Sequence, residues 1–155
     1  MNREFLMELL RSNSVSGSET EIEKKIYDHM QPIADTVSVD EMGTVTAAVN
    51  PEAPFRVLMT GHADEIGLLV TAVSEEGFLK VTNIGGVYAT TYPGHKVRVH
   101  TKNGILYGAV VNTRELAKKE DLKASDLTID IGALDKADVL KAVSLGDTVN
   151  FDTDV

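Results

Sequence analysis

The segment Gly61-His62-Ala63-Asp64-Glu65-Ile66-Gly67 holds the residues of this chain best suited to chemistry. It follows Phe55-Arg56-Val57-Leu58-Met59, a short, mostly apolar run of the kind that forms a strand buried on both faces of an α/β sheet. Open α/β sheets bind ligands in the crevice beyond the carboxyl ends of their strands, which is where this segment would lie. His62 offers a ring nitrogen to a divalent cation. Asp64, two residues on, falls on the same side of an extended chain and can accept the other ring N–H. That contact fixes the tautomer and raises the basicity of the ligating nitrogen. Glu65 points to the opposite side of an extended chain and is the weaker candidate. The same triplet also describes a hydrogen-bonded surface pair at a strand end, and spacing alone does not choose between the two.

Other chemistries find less support. Asp64 and Glu65 are adjacent carboxylates, but neighbours in sequence do not by themselves flank a glycosidic bond. Gly85-Gly86 lacks both the Lys-Ser/Thr of a P-loop and the G-x-G-x-x-G of a dinucleotide site, so it reads as a turn. No serine sits in G-x-S-x-G, and no H-E-x-x-H occurs. With no cysteine, disulfides, thiolate zinc sites and cysteine nucleophiles are all excluded.

The elements that must position His62 begin with two helices. Phe5, Leu6, Leu9 and Leu10 recur at helical spacing, and Ser14-Val15-Ser16-Gly17 breaks the pattern. Ser18 and Glu21 have the spacing of a capping box for a second helix, which carries Ile22, Ile26, Met30 and Ile33 on one face and ends near Pro32. His29 lies on its flank and reads as a solvated histidine. Thr36 to Asp40 and Thr44 to Val49 form a hairpin about Gly43.

From Gly67 onward the pattern is all-β. Strands are expected at 68–73 and 78–84, joined by the turn cluster Ser74 to Gly77. Asn103-Gly104 between two strand patterns favours a two-residue type I′ hairpin, which would pair Lys102 with Ile105, His100 with Tyr107 and Arg98 with Ala109. Val97, Val99 and Thr101 would then share a core face with Leu106 and Val110, leaving His100 half-solvated beside Tyr107. Thr113 to Ser125 reads as a charged loop or short helix. Leu127 to Ile131 reads as a strand, Asp135 caps a short helix with Val139, Leu140 and Val143, and Thr148 to Phe151 is a last strand.

The 155 residues fit one ordinary domain or two small ones. A net charge of −9 repels phosphate backbones and anionic lipid, so neither nucleic acid nor a membrane is an expected partner. No apolar h-region opens the chain and no apolar run is long enough to span a bilayer, which leads to the expectation of a cytoplasmic protein.

Thr60-Gly61-His62-Ala63-Asp64-Glu65-Ile66-Gly67-Leu68-Leu69-Val70 resembles the H-M-D-E-I-G segment of the tetrahedral, dodecameric metallo-aminopeptidases, a group that includes glutamyl aminopeptidases. Val15-Ser16-Gly17, Asp40-Glu41-Met42-Gly43-Thr44, Gly77-Phe78-Leu79 and Ile84-Gly85-Gly86 agree in order. So do Val97 to Gly108, Ile129-Asp130-Ile131-Gly132-Ala133 and Leu145-Gly146-Asp147, which carries the likeness over nearly the whole chain. Ala63 stands where the family commonly has methionine, and Asn112 to Leu122 lacks the paired prolines and histidine of that loop.

The resemblance implies a fold of α/β plus all-β type: the N-terminal portion of a two-metal exopeptidase α/β domain with an inserted β-rich, barrel-like dimerisation domain. Residues 1–67 would belong to the α/β domain and 68–148 to the insert, with 149–155 starting the return. It implies that His62 binds one metal and that Asp64 supports it as a catalytic residue. Two divalent cations, zinc or cobalt, would polarise the scissile carbonyl and activate a bridging water, with a glutamate as general base.

In the family the remaining ligands and that glutamate follow the insert. The expectation is therefore a truncated metallo-aminopeptidase that in complete form hydrolyses N-terminal residues from peptides. Alone, this chain would be inactive or nearly so, with metal not stably bound. A short α/β piece also buries little, so its apolar surface should drive association, and a homo-oligomer through the insert is expected. Two other readings remain: a non-catalytic assembly or interaction module built on the insert and, more weakly, a carbohydrate hydrolase.

Overall fold

The computed structural model describes residues 2–153, which fall into two compact units, 2–64 and 65–153. The first is α/β and the second is a closed six-stranded barrel.

In the first unit, α1 (Arg3–Leu10) starts at Asn2, whose side chain accepts from the Phe5 amide. The second helix, α2 (Thr20–Met30), starts without the capping box expected at Ser18 and Glu21, since Glu19 occupies the cap position and makes no side-chain cap bond. Asn13 takes both partners instead. Its Nδ2 donates to Ser18 Oγ at 2.9 Å and its backbone N–H to Glu21 Oε2 at 3.4 Å. The capping capacity is thus spent on tying down the loop before α2. His29, expected to be solvated, stacks on Phe5 with ring centroids 3.6 Å apart, joining the two helices.

The predicted hairpin forms as β1 (Thr36–Val39) and β2 (Val45–Ala48), paired from Thr36↔Ala48 to Val39↔Val45. The expected buried strand at 55–59 does not form. Phe55, Val57, Leu58 and Met59 lie in irregular chain and are exposed, Met59 to 89%. A strand needs neighbours to take its N–H and C=O groups, and among the described residues none pairs with this segment.

The barrel runs in the order β3-β4-β7-β6-β5-β8, where β3 is Gly67–Val73, β4 Leu79–Ile84, β5 Lys96–Thr101, β6 Gly104–Val110, β7 Thr128–Asp130 and β8 Thr148–Phe151. Every neighbouring pair is antiparallel, and β8 closes the circle by pairing with both β3 and β5. Residues 149–151, expected to begin the return out of the insert, are therefore barrel residues. Period-two alternation sends Leu68, Val70, Leu79, Val81, Val97, Val99, Val110, Ile129 and Val149 inward. Two short helices accompany the strands. The first, α3 (Arg114–Ala117), lies in the charged segment, and Asp135 caps α4 (Lys136–Val139), whose Val139 joins the core.

The β5–β6 hairpin keeps the predicted facing but not the predicted register. Thr101 pairs with Gly104, His100 with Ile105 and Arg98 with Tyr107, so the strands slip by two residues and every side chain stays on its expected face. Gly104, at φ 115°, is the one positive-φ residue of this turn, and the Asn103 amide donates to Thr101 Oγ1 at 3.1 Å. The type I′ turn, with positive φ at both central positions, is not used.

Candidate metal centre

His62 and Asp64 lie in the irregular segment at the end of the first unit, and side-chain bonds join them to each other and to Ser16. The His62 Nδ1 lies 3.0 Å from Asp64 Oδ1 and 3.0 Å from the Asp64 carbonyl oxygen. A carbonyl and a carboxylate can only accept, so Nδ1 carries the proton and donates to both. In the neutral ring that leaves the lone pair on Nε2. The His62 side chain is 85% exposed, so Nε2 is open to a ligand from solvent.

Asp64 is held from its other side. Ser16 Oγ donates to Asp64 Oδ2 at 2.5 Å, across 48 residues of sequence. The Ser16 hydroxyl first, and the His62 ring after it, hold the Asp64 carboxyl below the usual carboxylate range. An ionised Asp64 is the stronger acceptor for the imidazole N–H. In the sequence Ser16 stands out only as part of the family-like stretch Val15-Ser16-Gly17. Its loop position, distant from Asp64 in sequence, carried no signal of the bond.

An open cleft of about 310 Å³ runs alongside, lined by Glu19, Glu23, Gly43, Thr44, His62 and Asp64. Glu65 is engaged in the barrel unit, where its Oε1 accepts from Asn150 Nδ2 at 2.8 Å. Asn150 Oδ1 in turn accepts from His100 Nε2 at 2.9 Å, so His100 is a half-buried partner of a polar network. Gly85-Gly86 is a turn, with Gly85 at φ 72° and Asn83 Nδ2 donating to its carbonyl at 2.9 Å.

His62, with one nitrogen protonated and held and the other open, fits the role of a single imidazole ligand. Among the described residues no group of three or more histidines and carboxylates converges as a metal site, so a full coordination sphere is not formed by them. Among the described residues the arrangement is one outward-facing imidazole with a carboxylate behind it.

The M42 glutamyl aminopeptidase family matches residues 43–155, well over half of the sequence. The chain belongs to that family.

Members of the M42 family are in general metal-dependent aminopeptidases. The lysyl aminopeptidase of Pyrococcus furiosus is 34% identical over 137 residues, spanning 84% of this chain and 39% of the relative. Among solved structures, the TET1 peptidase of Pyrococcus horikoshii, described as able to assemble into a tetrahedron or a large octahedral shell, superposes with a TM-score of 0.85. It shares 32% identity, covering 97% of this chain and 46% of the TET1 chain. A structure described as an endoglucanase, from Thermotoga maritima, superposes with a TM-score of 0.81 at 26% identity, covering 94% of this chain and 44% of its own. The chain spans less than half the length of the curated M42-like relatives it matches, between 39% and 46%. No helix among the described residues is long and apolar enough to cross a membrane.

Proposed function

We propose that this chain supplies one metal-ligating arm of a two-metal aminopeptidase that hydrolyses N-terminal residues from peptides. The observation that carries the reading is the His62–Asp64 pair, with Nδ1 protonated and held at 3.0 Å and Nε2 left open. His62 Nε2 binds a divalent cation, zinc or cobalt. Asp64 keeps the proton on Nδ1 and aims the ring, as a carboxylate behind a ligating histidine commonly does. The bound cation supplies Lewis-acid polarisation of a carbonyl and a more acidic water. One imidazole does not hold a co-catalytic metal pair, so the 155-residue chain by itself hydrolyses peptides slowly or not at all. Membership of a metal-dependent family supports the reaction class.

Two measurements test this. Titration with zinc or cobalt should show weak binding, as a single imidazole allows, that His62→Ala lowers by at least the roughly 10–100-fold controlled by partners standing behind a ligand. Unchanged affinity in that variant would overturn the ligand role. Peptide hydrolysis should be absent or near background with either metal. Cobalt- or zinc-dependent release of amino acids by this chain alone would overturn the inactivity.

A second reading, an assembly module built on the barrel, draws support from the barrel's closed, self-contained core and from the TET1 relative described as forming shells. In that reading the chain sediments as a dimer or larger and His62→Ala leaves the assembly unchanged. The endoglucanase relative makes a β-glucan assay beside the peptide assay worthwhile. Hydrolysis of glucan but not peptide would reverse the choice of substrate class.

A further inference from the structure

We infer that Ser16 is a positioning residue for His62, acting through Asp64 to hold the imidazole with Nδ1 protonated and Nε2 presented outward. Its consequence for metal affinity rests on the reading of His62 as a ligand, while the geometry stands apart from it.

The need for such a residue follows from exposure. The His62 side chain is 85% exposed and that of Asp64 41%. At that exposure water competes for the ring N–H, and a carboxylate bonded only to the ring would turn freely with it. Among the described residues, the bond that fastens the Asp64 carboxylate to structured chain is the one from Ser16. By taking Oδ2, Ser16 leaves Oδ1 to face Nδ1.

Ser16 can act as an anchor because its loop is fixed. Val15 is fully buried beside it. Asn13 grips Ser18 and Glu21, Lys25 Nζ donates to Ser12 Oγ at 2.8 Å, and the Gly17 amide donates to Glu19 Oε1 at 2.8 Å. The loop therefore presents one hydroxyl at a defined point, and the role requires a donor there. Alanine has none, whereas threonine keeps it.

The test is the tautomer of His62, read by long-range proton–nitrogen correlation on ¹⁵N-labelled, metal-free chain under alkaline conditions where imidazoles are neutral. An unconstrained imidazole in water favours the Nε2–H form. Wild-type chain should show His62 mainly as Nδ1–H, Ser16→Ala should move it toward Nε2–H, and Ser16→Thr should restore it. Zinc affinity should fall about tenfold in Ser16→Ala, the lower end of what partners behind a ligand usually control. A wild-type ring found mainly as Nε2–H overturns the inference without requiring any variant to fold. So does a Ser16→Ala ring with the wild-type tautomer. If the tautomer shifts as stated while His62→Ala binds zinc like wild type, positioning stands and the metal reading falls.

Discussion

The barrel and the N-terminal unit treat similar stretches of sequence in opposite ways. Phe55–Met59 and Leu79–Ile84 are both short runs rich in large apolar residues. In the barrel, Leu79 and Val81 are almost completely buried, whereas in the N-terminal unit Val57, Leu58 and Met59 are largely in solvent. Neighbours make the difference. Leu79–Ile84 has β3 on one side and β7 on the other, and closure of the sheet gives every barrel strand two partners. Among the described residues Phe55–Met59 has no partner strand, and its large apolar side chains are exposed. An apolar run is a strand only where other backbone is present to complete it.

The largest effect that could break this contrast is in the core. Leu79→Ala removes a fully buried side chain from the barrel and should cost about 2–5 kcal/mol, a typical range for core leucine truncation. Leu58→Ala, the same chemical change at an exposed position, should stay within about 0.5 kcal/mol. Urea unfolding followed by circular dichroism measures both. Equal losses would mean that Leu58 is buried in solution and that the two regions do not differ as described.

The same contrast explains what was legible in the sequence. Each barrel strand was readable because period-two alternation and turn residues are local signals, and the closed sheet supplies every such run with the partners it needs. The facing of Val97, Val99, Leu106 and Val110 was legible. The register was not, because a two-residue slip preserves facing, and the turn bonds of Thr101 Oγ1 to the Asn103 amide and the Gly104 carbonyl and the pairing with β7 and β8 leave no mark in the local pattern. The missing capping box shows that Ser18 and Glu21 bond to Asn13 in the preceding loop and not to the helix end. At the candidate site, the His62–Asp64 contact was legible because two residues of extended chain dictate it. The Ser16 contact was not, because nothing in local sequence brings residues 16 and 64 together.

Glycine substitutions sharpen the comparison at smaller scale. A Cβ added at Gly108 would sit 2.8 Å from the Asp130 carbonyl oxygen and about as tightly against the side chains of Ile129 and Ile131, where β6 passes β7. The obstacle is backbone in a closed sheet, so Gly108→Ala should cost about 1–3 kcal/mol, the usual range for overpacking. A Cβ at Gly61 would meet nothing within 4 Å. Gly61→Ala should therefore be neutral or gain up to about 1 kcal/mol by restricting the unfolded chain. A tolerated Gly108→Ala would show that the barrel seam yields more readily than its packing indicates.

The smallest effect distinguishes two turns. In the N-terminal unit, Asp40 Oδ1 accepts the Met42 and Thr44 amides at 2.9 Å each, and these bonds, Thr44's first, hold its carboxyl below the ordinary value of 3.8. A folded-state pKa below the unfolded one means that the unfolded state takes up a proton first on acidification. The turn's contribution to stability is therefore complete above 3.8 and is lost as pH falls through the lower folded value. The β5–β6 turn in the barrel uses the Thr101 hydroxyl in the same structural role, and a hydroxyl does not titrate there. Acidification through the lowered folded-state value, below 3.8, should thus collapse hydrogen-exchange protection at the Met42 and Thr44 amides while leaving that of Asn103 unchanged. Asp40→Asn, which retains an acceptor oxygen without the titrating charge, should abolish the pH dependence. Parallel loss of protection at both turns would mean that acid acts on the whole fold and not on this one carboxylate.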